Sequence, residues 1–300
     1  MAKILITGGT GLIGEVLENK LIQKNHEVQI LTRNPRKENH FKWDIKNNYI
    51  DEKVFENLDY IIHLAGAGIA DKKWTKTRKK ELIDSRVESA NLLFSKVTEL
   101  KVPLKRFISS SGIGFYGAIT TENIFTEEDK PASDFISEIC IKWENAAQQF
   151  QDLDIPVTIL RTGVVLSKDG GALQKMNTPL LLSALGHGKQ YVPWIHIEDL
   201  CNLYVKATED DTFIGIYNGI APDHQTNSTF TKALGKALKK IVTPINVPGF
   251  ILKTVLGELA VIVLEGSRIS TVKTEEEYNF KFKTLKSAFE DIYNKKNCLK

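Results

Sequence analysis

An α/β fold, with a doubly wound parallel sheet and a smaller C-terminal lobe, is what this 300-residue chain predicts. Three observations carry that expectation. Short apolar runs recur between stretches of helical period. The first run, Lys3 to Thr7 (KILIT), ends in a glycine-rich turn, and the second, Glu27 to Thr32, follows one amphipathic segment later. Parallel strands need a crossover between them, and the crossover is normally a helix.

The turn is Gly8-Gly9-Thr10-Gly11-Leu12-Ile13-Gly14. Gly8 lets the chain turn sharply off the strand, Gly11 lets backbone approach a pyrophosphate, and Gly14 lets the helix pack close to the sheet. Thr10, Leu12 and Ile13 complete the candidate phosphate site, because a helix N-terminus offers unpaired N–H groups and positive dipole. Strand, glycine turn, helix and strand make half of a Rossmann-type dinucleotide-binding unit. The second strand ends Leu31-Thr32-Arg33-Asn34-Pro35. An acidic residue here would suit the ribose of NAD, whereas Arg33, with Arg36 as a second cation, favours the 2′-phosphate of NADP. NADP(H) is expected over NAD(H); the plainer reading of Arg33 is a solvated loop side chain.

Further elements follow in order. A third strand is expected at 41–45 (FKWDI) and a buried fourth at 58–64 (LDYIIHL). The small residues Ala65-Gly66-Ala67-Gly68 come next and let the chain pass close to a cofactor. His63, in a buried strand, reads as structural. A helix from Trp74 to Leu100 carries Leu82, Ile83, Val87, Ala90, Leu93 and Val97 at helical spacing. Its start, Lys72 to Lys80, holds six basic residues and an aromatic. A solvated helix end is the default there, with Arg78 or Arg86 facing an anionic substrate or the cofactor as a further reading. Strand five, Arg106 to Ser109, runs into Ser110-Ser111-Gly112. A helix spans Phe135 to Asp152, capped by Ser133 or Asp134. Strand six, Ile155 to Leu160, delivers Arg161-Thr162-Gly163 to the sheet's carboxyl edge, where ligands of such sheets sit.

Residues 1–165 are read as the nucleotide-binding core and 166–300 as the substrate lobe, with 191–220 returning to the core. Within that returning stretch His196 and Asp199 read as structural, and Glu198 or Asp199 as near a helix cap. Helices are expected at Thr226 to Lys240, Gly249 to Glu265 and Leu285 to Asn294. His187, between two glycines, is a lid residue or simply exposed.

The bulk numbers exclude more than they assign. A balance of 40 basic against 37 acidic residues makes no case for nucleic acid. Phe250 to Leu264 is interrupted by Lys253 and Glu258 and is too short to span a bilayer. Cys140, Cys201 and Cys298 are too few and too widely spaced for a disulfide framework or a zinc site, so no metal is expected. A strand that begins at once, without a basic and apolar leader, points to a cytoplasmic protein.

The form T-G-x-x-G-x-x-G resembles the extended short-chain dehydrogenase/reductases and their sugar-nucleotide epimerase relatives. Further fragments narrow the match: Ala70 to Thr75 (ADKKWT), Asp84-Ser85-Arg86-Val87, Cys140-x-x-Trp143-Glu144, Leu160-Arg161-Thr162-Gly163, Trp194-Ile195-His196 and Gly257-Glu258-Leu259-Ala260. Together they resemble the epimerase-like atypical members of that superfamily, whose C-terminal domain of unknown function would run here from about Asn246 to Tyr293. The resemblance implies that Asp44 and Ile45 lie against adenine and that Leu64, Ala65 and Gly66 form a cofactor-facing turn. Ser109, Arg161, Thr162 and Gly163 are candidate cofactor contacts because they leave the sheet's carboxyl edge, and the resemblance adds the expectation of a homodimer.

The same resemblance exposes a loss. Relatives use a Ser or Thr to polarise the substrate oxygen, a Tyr as proton donor, a Lys four residues later and an Asn on the long helix. Anchored on Glu144, this chain has Cys140 at the Lys position, Ile136 at the Tyr position and Arg86 at the Asn position. Ser111 survives. An Ile cannot donate a proton. Two rescues are conceivable: Tyr116 as the acid, its pKa lowered by Arg86 or Arg161, or Cys140 as a thiolate. The alternatives are a pocket-shaping Tyr116, a packing Cys140, and hydroxyls at 109–111 that merely satisfy backbone. Two functions fit: an NADP(H)-dependent oxidoreductase or epimerase with an unknown small polar or nucleotide-linked substrate, or a non-catalytic NADP(H)-binding sensor or scaffold.

Overall fold

The computed structural model describes residues 1–294, so Cys298 lies outside the described residues. Eight strands form the main sheet: β1 (Lys3–Thr7), β2 (Glu27–Thr32), β3 (His40–Asp44), β4 (Tyr49–Ile50), β5 (Tyr60–His63), β6 (Arg106–Gly112), β7 (Val157–Thr162) and β8 (Gly215–Gly219). Their order is β8-β7-β6-β5-β1-β2-β3-β4. All pairs are parallel except β3 with β4. The winding reverses between β1 and β5, and ligand crevices of such sheets open at that switch point, on the carboxyl edge.

Alternate strand residues serve two cores. On one face Ile4, Ile6, Ile30, Ile62 and Leu160 pack against Leu17 and Leu21 of helix α1 (Leu12–Gln23) and Leu200, Leu203 and Tyr204 of a later helix, Ile197–Glu209. On the other, Leu5, Leu31, Ile61, Phe107 and Ile159 meet Leu93 and Val97 of α2 (Lys76–Leu100) and Ala147 of α3 (Phe135–Gln148). Burial on both faces explains why the strands read as unbroken apolar runs.

Local chemistry sets the helix ends. Thr75 caps α2 by accepting from the Arg78 N–H, and Asp134 caps α3 by accepting from Ser137. The stretch expected as one helix to Asp152 changes to a 3₁₀ turn over Gln149–Leu153. His196 caps the helix Ile197–Glu209, designated α4, with Glu198 and Asp199 in its first turn. The helix expected from Gly249 to Glu265 breaks at Gly257, whose φ of +64° ends Gly249–Leu256; a 3₁₀ turn and the short helix Val261–Leu264 follow.

Beyond β7 the chain leaves the sheet and comes back. Val164–Leu166 pairs in parallel with Trp194–His196, after which α4 and β8 rejoin the main layers. The strand at Gly215–Gly219 was not among the expected elements, because a glycine-flanked five-residue segment carries little periodic signal. A third core, including Trp194, Phe230, Leu234, Phe282, Leu285 and Phe289, joins the helices Asn227–Leu238 and Leu285–Asn294. Among the described residues no helix is long and apolar enough to cross a membrane.

Asp199 fastens the C-terminal segment to α4. Fully buried, it accepts from the Tyr278 hydroxyl (2.7 Å), the Lys281 N–H (2.8 Å) and the Phe282 N–H (2.9 Å). Asp199→Ala strands three donors, so we expect a loss of about 3 kcal/mol or more in urea unfolding. Asp199→Asn, which keeps one acceptor oxygen, should recover part of it.

Candidate functional site

The glycine turn sits at the switch point, at the carboxyl end of β1. Gly8 has φ +70°, and a Cβ there would lie 2.9 Å from the Leu64 carbonyl carbon, so the turn presses directly on the segment leaving β5. Gly14 would meet Gly9 Cα at 2.5 Å; the close approach is to the turn itself rather than to a strand. Gly11, exposed, is the N-cap of α1 and no side chain caps that helix, which leaves first-turn N–H groups aimed outward beside exposed Thr10. Leu12 and Ile13 begin the helix, half-buried, with Leu12 packed against the turn at Gly171. These features fit a dinucleotide pyrophosphate: an uncapped N-terminus of a 12-residue helix beside a backbone that no side chain shields.

Arg33 lies one residue beyond β2, exposed and without a hydrogen bond or ion pair among the described residues; its charge is felt by Glu81, which pairs with Arg78 at 2.7 Å. Asp44 closes β3 and caps the next turn through Lys46 N–H and Asn47 Nδ2, the Asn47 bond holding its carboxyl below the ordinary range. Ile45 follows, half-buried. Leu64, Ala65 and Gly66 leave β5 facing the glycine turn, Ala65 N–H donating to Thr7 Oγ1. Thr162 and Gly163 are half-buried at the end of β7.

Ser109 and Arg161 occupy different surroundings. Ser109 is fully buried and its hydroxyl donates to the Ser110 carbonyl. Arg161, 2% exposed, is held side-on by Glu144: Nε to Oε1 and Nη2 to Oε2, both 2.9 Å. Neither side chain is open to a nucleotide, because each already has its partner inside the protein.

Ser111 and Tyr116 join the same buried network. The Ser111 hydroxyl donates to Glu144 Oε1 at 2.7 Å; Arg161 Nη1 donates to the Tyr116 oxygen at 3.0 Å, and the Tyr116 O–H donates to Asn218 Oδ1 at 2.7 Å. Arg161 does supply the positive field expected of it. Burial outweighs that field and pushes the phenol up to about 12, so the lowered pKa on which an acid role rests is not met. Cys140, 2% exposed, is likewise pushed up to about 12 by burial, which rules out a resting thiolate. Ile136 packs in an apolar cluster with Trp74, Phe135, Leu256 and Leu259, so the proton donor's position in relatives is a packing position here. Glu144 and Asn218 complete the network and were not identified as functional from the sequence. A Glu on an otherwise apolar face of α3 was the available signal, but its partner lies on a strand and spacing does not reveal the pairing.

Such a glycine turn at the switch point of a doubly wound parallel sheet defines a Rossmann-type α/β protein. The chain belongs to the NAD dependent epimerase/dehydratase family, whose model matches residues 4–218, and residues 247–292 match a domain of unknown function, DUF1731. It is 33% identical to the mouse epimerase family protein SDR39U1, covering 97% of this chain and 99% of the mouse protein. The crystal structure of human epimerase family protein SDR39U1 (isoform 2) with NADPH superposes with a TM-score of 0.84 at 28% identity, covering 98% of this chain and 99% of that one. A nucleoside-diphosphate sugar epimerase from Corynebacterium glutamicum gives 0.78 at 28% identity, over 96% of this chain and 57% of that one.

His63 ties the site's frame together. Fully buried, it meets Thr7 Oγ1 at 2.8 Å on one side and Ser89 Oγ at 3.2 Å on the other, and burial pushes its pKa from 6.5 down to about 4. The unfolded chain therefore binds this proton first. Stability from the neutral ring is fully present above pH 6.5 and is lost as pH falls toward 4. Urea unfolding across that window should lose up to about 3 kcal/mol from this residue. His63→Asn should flatten the slope.

Proposed function

We propose that this chain binds NADP(H) and exchanges hydride with a small polar or nucleotide-linked substrate. The observation that carries the reading is the uncapped α1 N-terminus behind the Gly8 to Gly14 turn, with an unpaired Arg33 at the next strand end. NADPH in the human relative's crystal structure supports it. Gly8, Thr10, Gly11, Leu12, Ile13 and Gly14 would hold the pyrophosphate and Arg33 the 2′-phosphate. Asp44 and Ile45 would lie against adenine, and Leu64, Ala65, Gly66, Thr162 and Gly163 would line the path toward the reacting end. Hydride donation or acceptance is the chemistry that a bound nicotinamide supplies.

Proton transfer is the less ordinary half. Ser111 and Tyr116 form the wall between α3, β6 and β7 and hold its geometry through Glu144 and Arg161. With the phenol raised and no Lys beside it, a proton would come from water or from the substrate itself. The same occupied network favours a second reading, a non-catalytic NADP(H)-binding sensor, because it leaves no side chain poised as an acid.

Arg33→Glu should weaken NADPH binding by about tenfold or more while leaving NADH nearly unchanged, measured by nicotinamide fluorescence titration. Equal loss of both nucleotides would contradict the 2′-phosphate assignment. Incubation with NADPH or NADP⁺ and a metabolite extract separates the two readings: turnover that Arg33→Glu abolishes marks an enzyme, and binding without turnover marks a sensor.

A further inference from the structure

Arg161 and Arg86 are both buried near this site, and among the described residues only Arg161 of the two is paired with a carboxylate. Arg161 offers the Nε and Nη2 edge of its guanidinium to Glu144, a bidentate grip with both bonds at 2.9 Å. Arg86, 5% exposed on α2, donates from Nη1 to the Leu82 carbonyl at 2.8 Å. Its Nε is buried without a partner, and Nη2 makes no hydrogen bond among the described residues. No carboxylate is among the groups that shift it, and burial, with the nearby Arg78 cation, pushes its pKa down to about 10. Its neighbour Arg78, by contrast, is paired with Glu81.

The surroundings give Arg86 partial compensation. Its guanidinium carbon lies 4.6 Å from the Trp143 ring centroid, a desolvated cation–π contact. That contact offsets only part of the cost of burying an unpaired charge. The Trp143 indole N–H is also buried without a partner among the described residues. The place is close to the ligand edge. A Cβ on exposed Gly66, in the turn leaving β5, would come within 2.9 Å of the Arg86 guanidinium carbon.

We propose that Arg86 is the docking point for a carboxylate of the substrate, received on the Nε and Nη2 edge beside Trp143. A planar fork matches a planar carboxylate in two parallel bonds, as Glu144 shows on Arg161, and the small remaining exposure suits that flat group better than a tetrahedral phosphate. The assignment deepens the NADP(H)-dependent reading and rests on it for the position of the reacting carbon. It narrows the substrate to an acid whose carboxylate is held near the sheet's carboxyl edge.

The test is calorimetric titration of the NADPH-saturated full-length protein with malonate, its uncharged isostere malonamide, and inorganic phosphate. Wild type, Arg86→Lys, Arg86→Gln and Trp143→Phe are compared, with NADPH affinity measured on each. Malonate should bind wild type about tenfold more tightly than malonamide or phosphate, about tenfold more weakly to Arg86→Lys, and not at all to Arg86→Gln. NADPH affinity should stay within about twofold in all four, since its phosphates are assigned to the glycine turn and Arg33, away from Arg86. Malonate binding no better than malonamide, phosphate binding more tightly, or Arg86→Lys matching wild type would each overturn the proposal. Loss of NADPH binding in the Arg86 variants would overturn it too, by moving Arg86 to the cofactor. Should Arg86→Gln fail to fold, Arg86→Lys keeps the charge and still decides. Should wild type bind no NADPH, the nucleotide reading fails by itself, and the same titrations on the nucleotide-free protein still decide whether Arg86 takes a carboxylate.

Discussion

The ion pair between Glu144 and Arg161 organises the centre of this protein. It joins α3 to β7, and through its remaining atoms it reaches β6 at Ser111, the following turn at Tyr116 and β8 at Asn218. Both charges are almost wholly buried, so each depends on the other: removing one partner would leave an uncompensated charge in a dry interior. The stacking of Arg161 over the Phe115 ring, 3.4 Å from its centroid, adds to the constraint. Strand ends that would otherwise be loosely placed are thereby held in fixed register at the ligand edge.

That clamp has a chemical consequence. A hydroxyl, a phenol and an arginine that could have faced a substrate are turned inward to satisfy one another. Ile136 and Cys140, at positions where relatives carry proton-transfer groups, are packed among apolar side chains. The C-terminal segment takes part in this, since Leu259 lies in the same cluster as Trp74 and Ile139. The site therefore keeps the glycine turn at the sheet's switch point, lacks the Tyr and Lys pair of relatives, and holds buried Arg86 without a carboxylate partner among the described residues.

Much of the scaffold was legible beforehand because it rests on short-range rules. The apolar run Lys3 to Thr7, the glycine spacing after it and the amphipathic helix to Gln23 are each specified by residues within a few positions of one another. Thr75 and Asp134 announce their helix starts in the same way. Strand Gly215–Gly219 and the break at Gly257 were harder, since one is paired by a distant strand and the other turns on a single backbone angle. In the site, the glycines and Arg33 were identifiable from their places at strand ends. Ser111, Tyr116 and Arg161 also lie at the sheet's carboxyl edge, but which way each side chain faces depends on partners 17 to 102 positions away.

By itself, then, the sequence determined the parallel α/β class, most of the core strands and helices, the glycine turn after β1, the cation beyond β2 and the absence of a Tyr and Lys pair on α3. All of these are properties of residue type and near-neighbour spacing. Only the tertiary structure decided that Glu144 claims Arg161, that burial raises Tyr116 and Cys140, and that Arg86 has no carboxylate partner among the described residues. Those outcomes come from desolvation and from contacts between elements remote in the chain, and no local pattern encodes either.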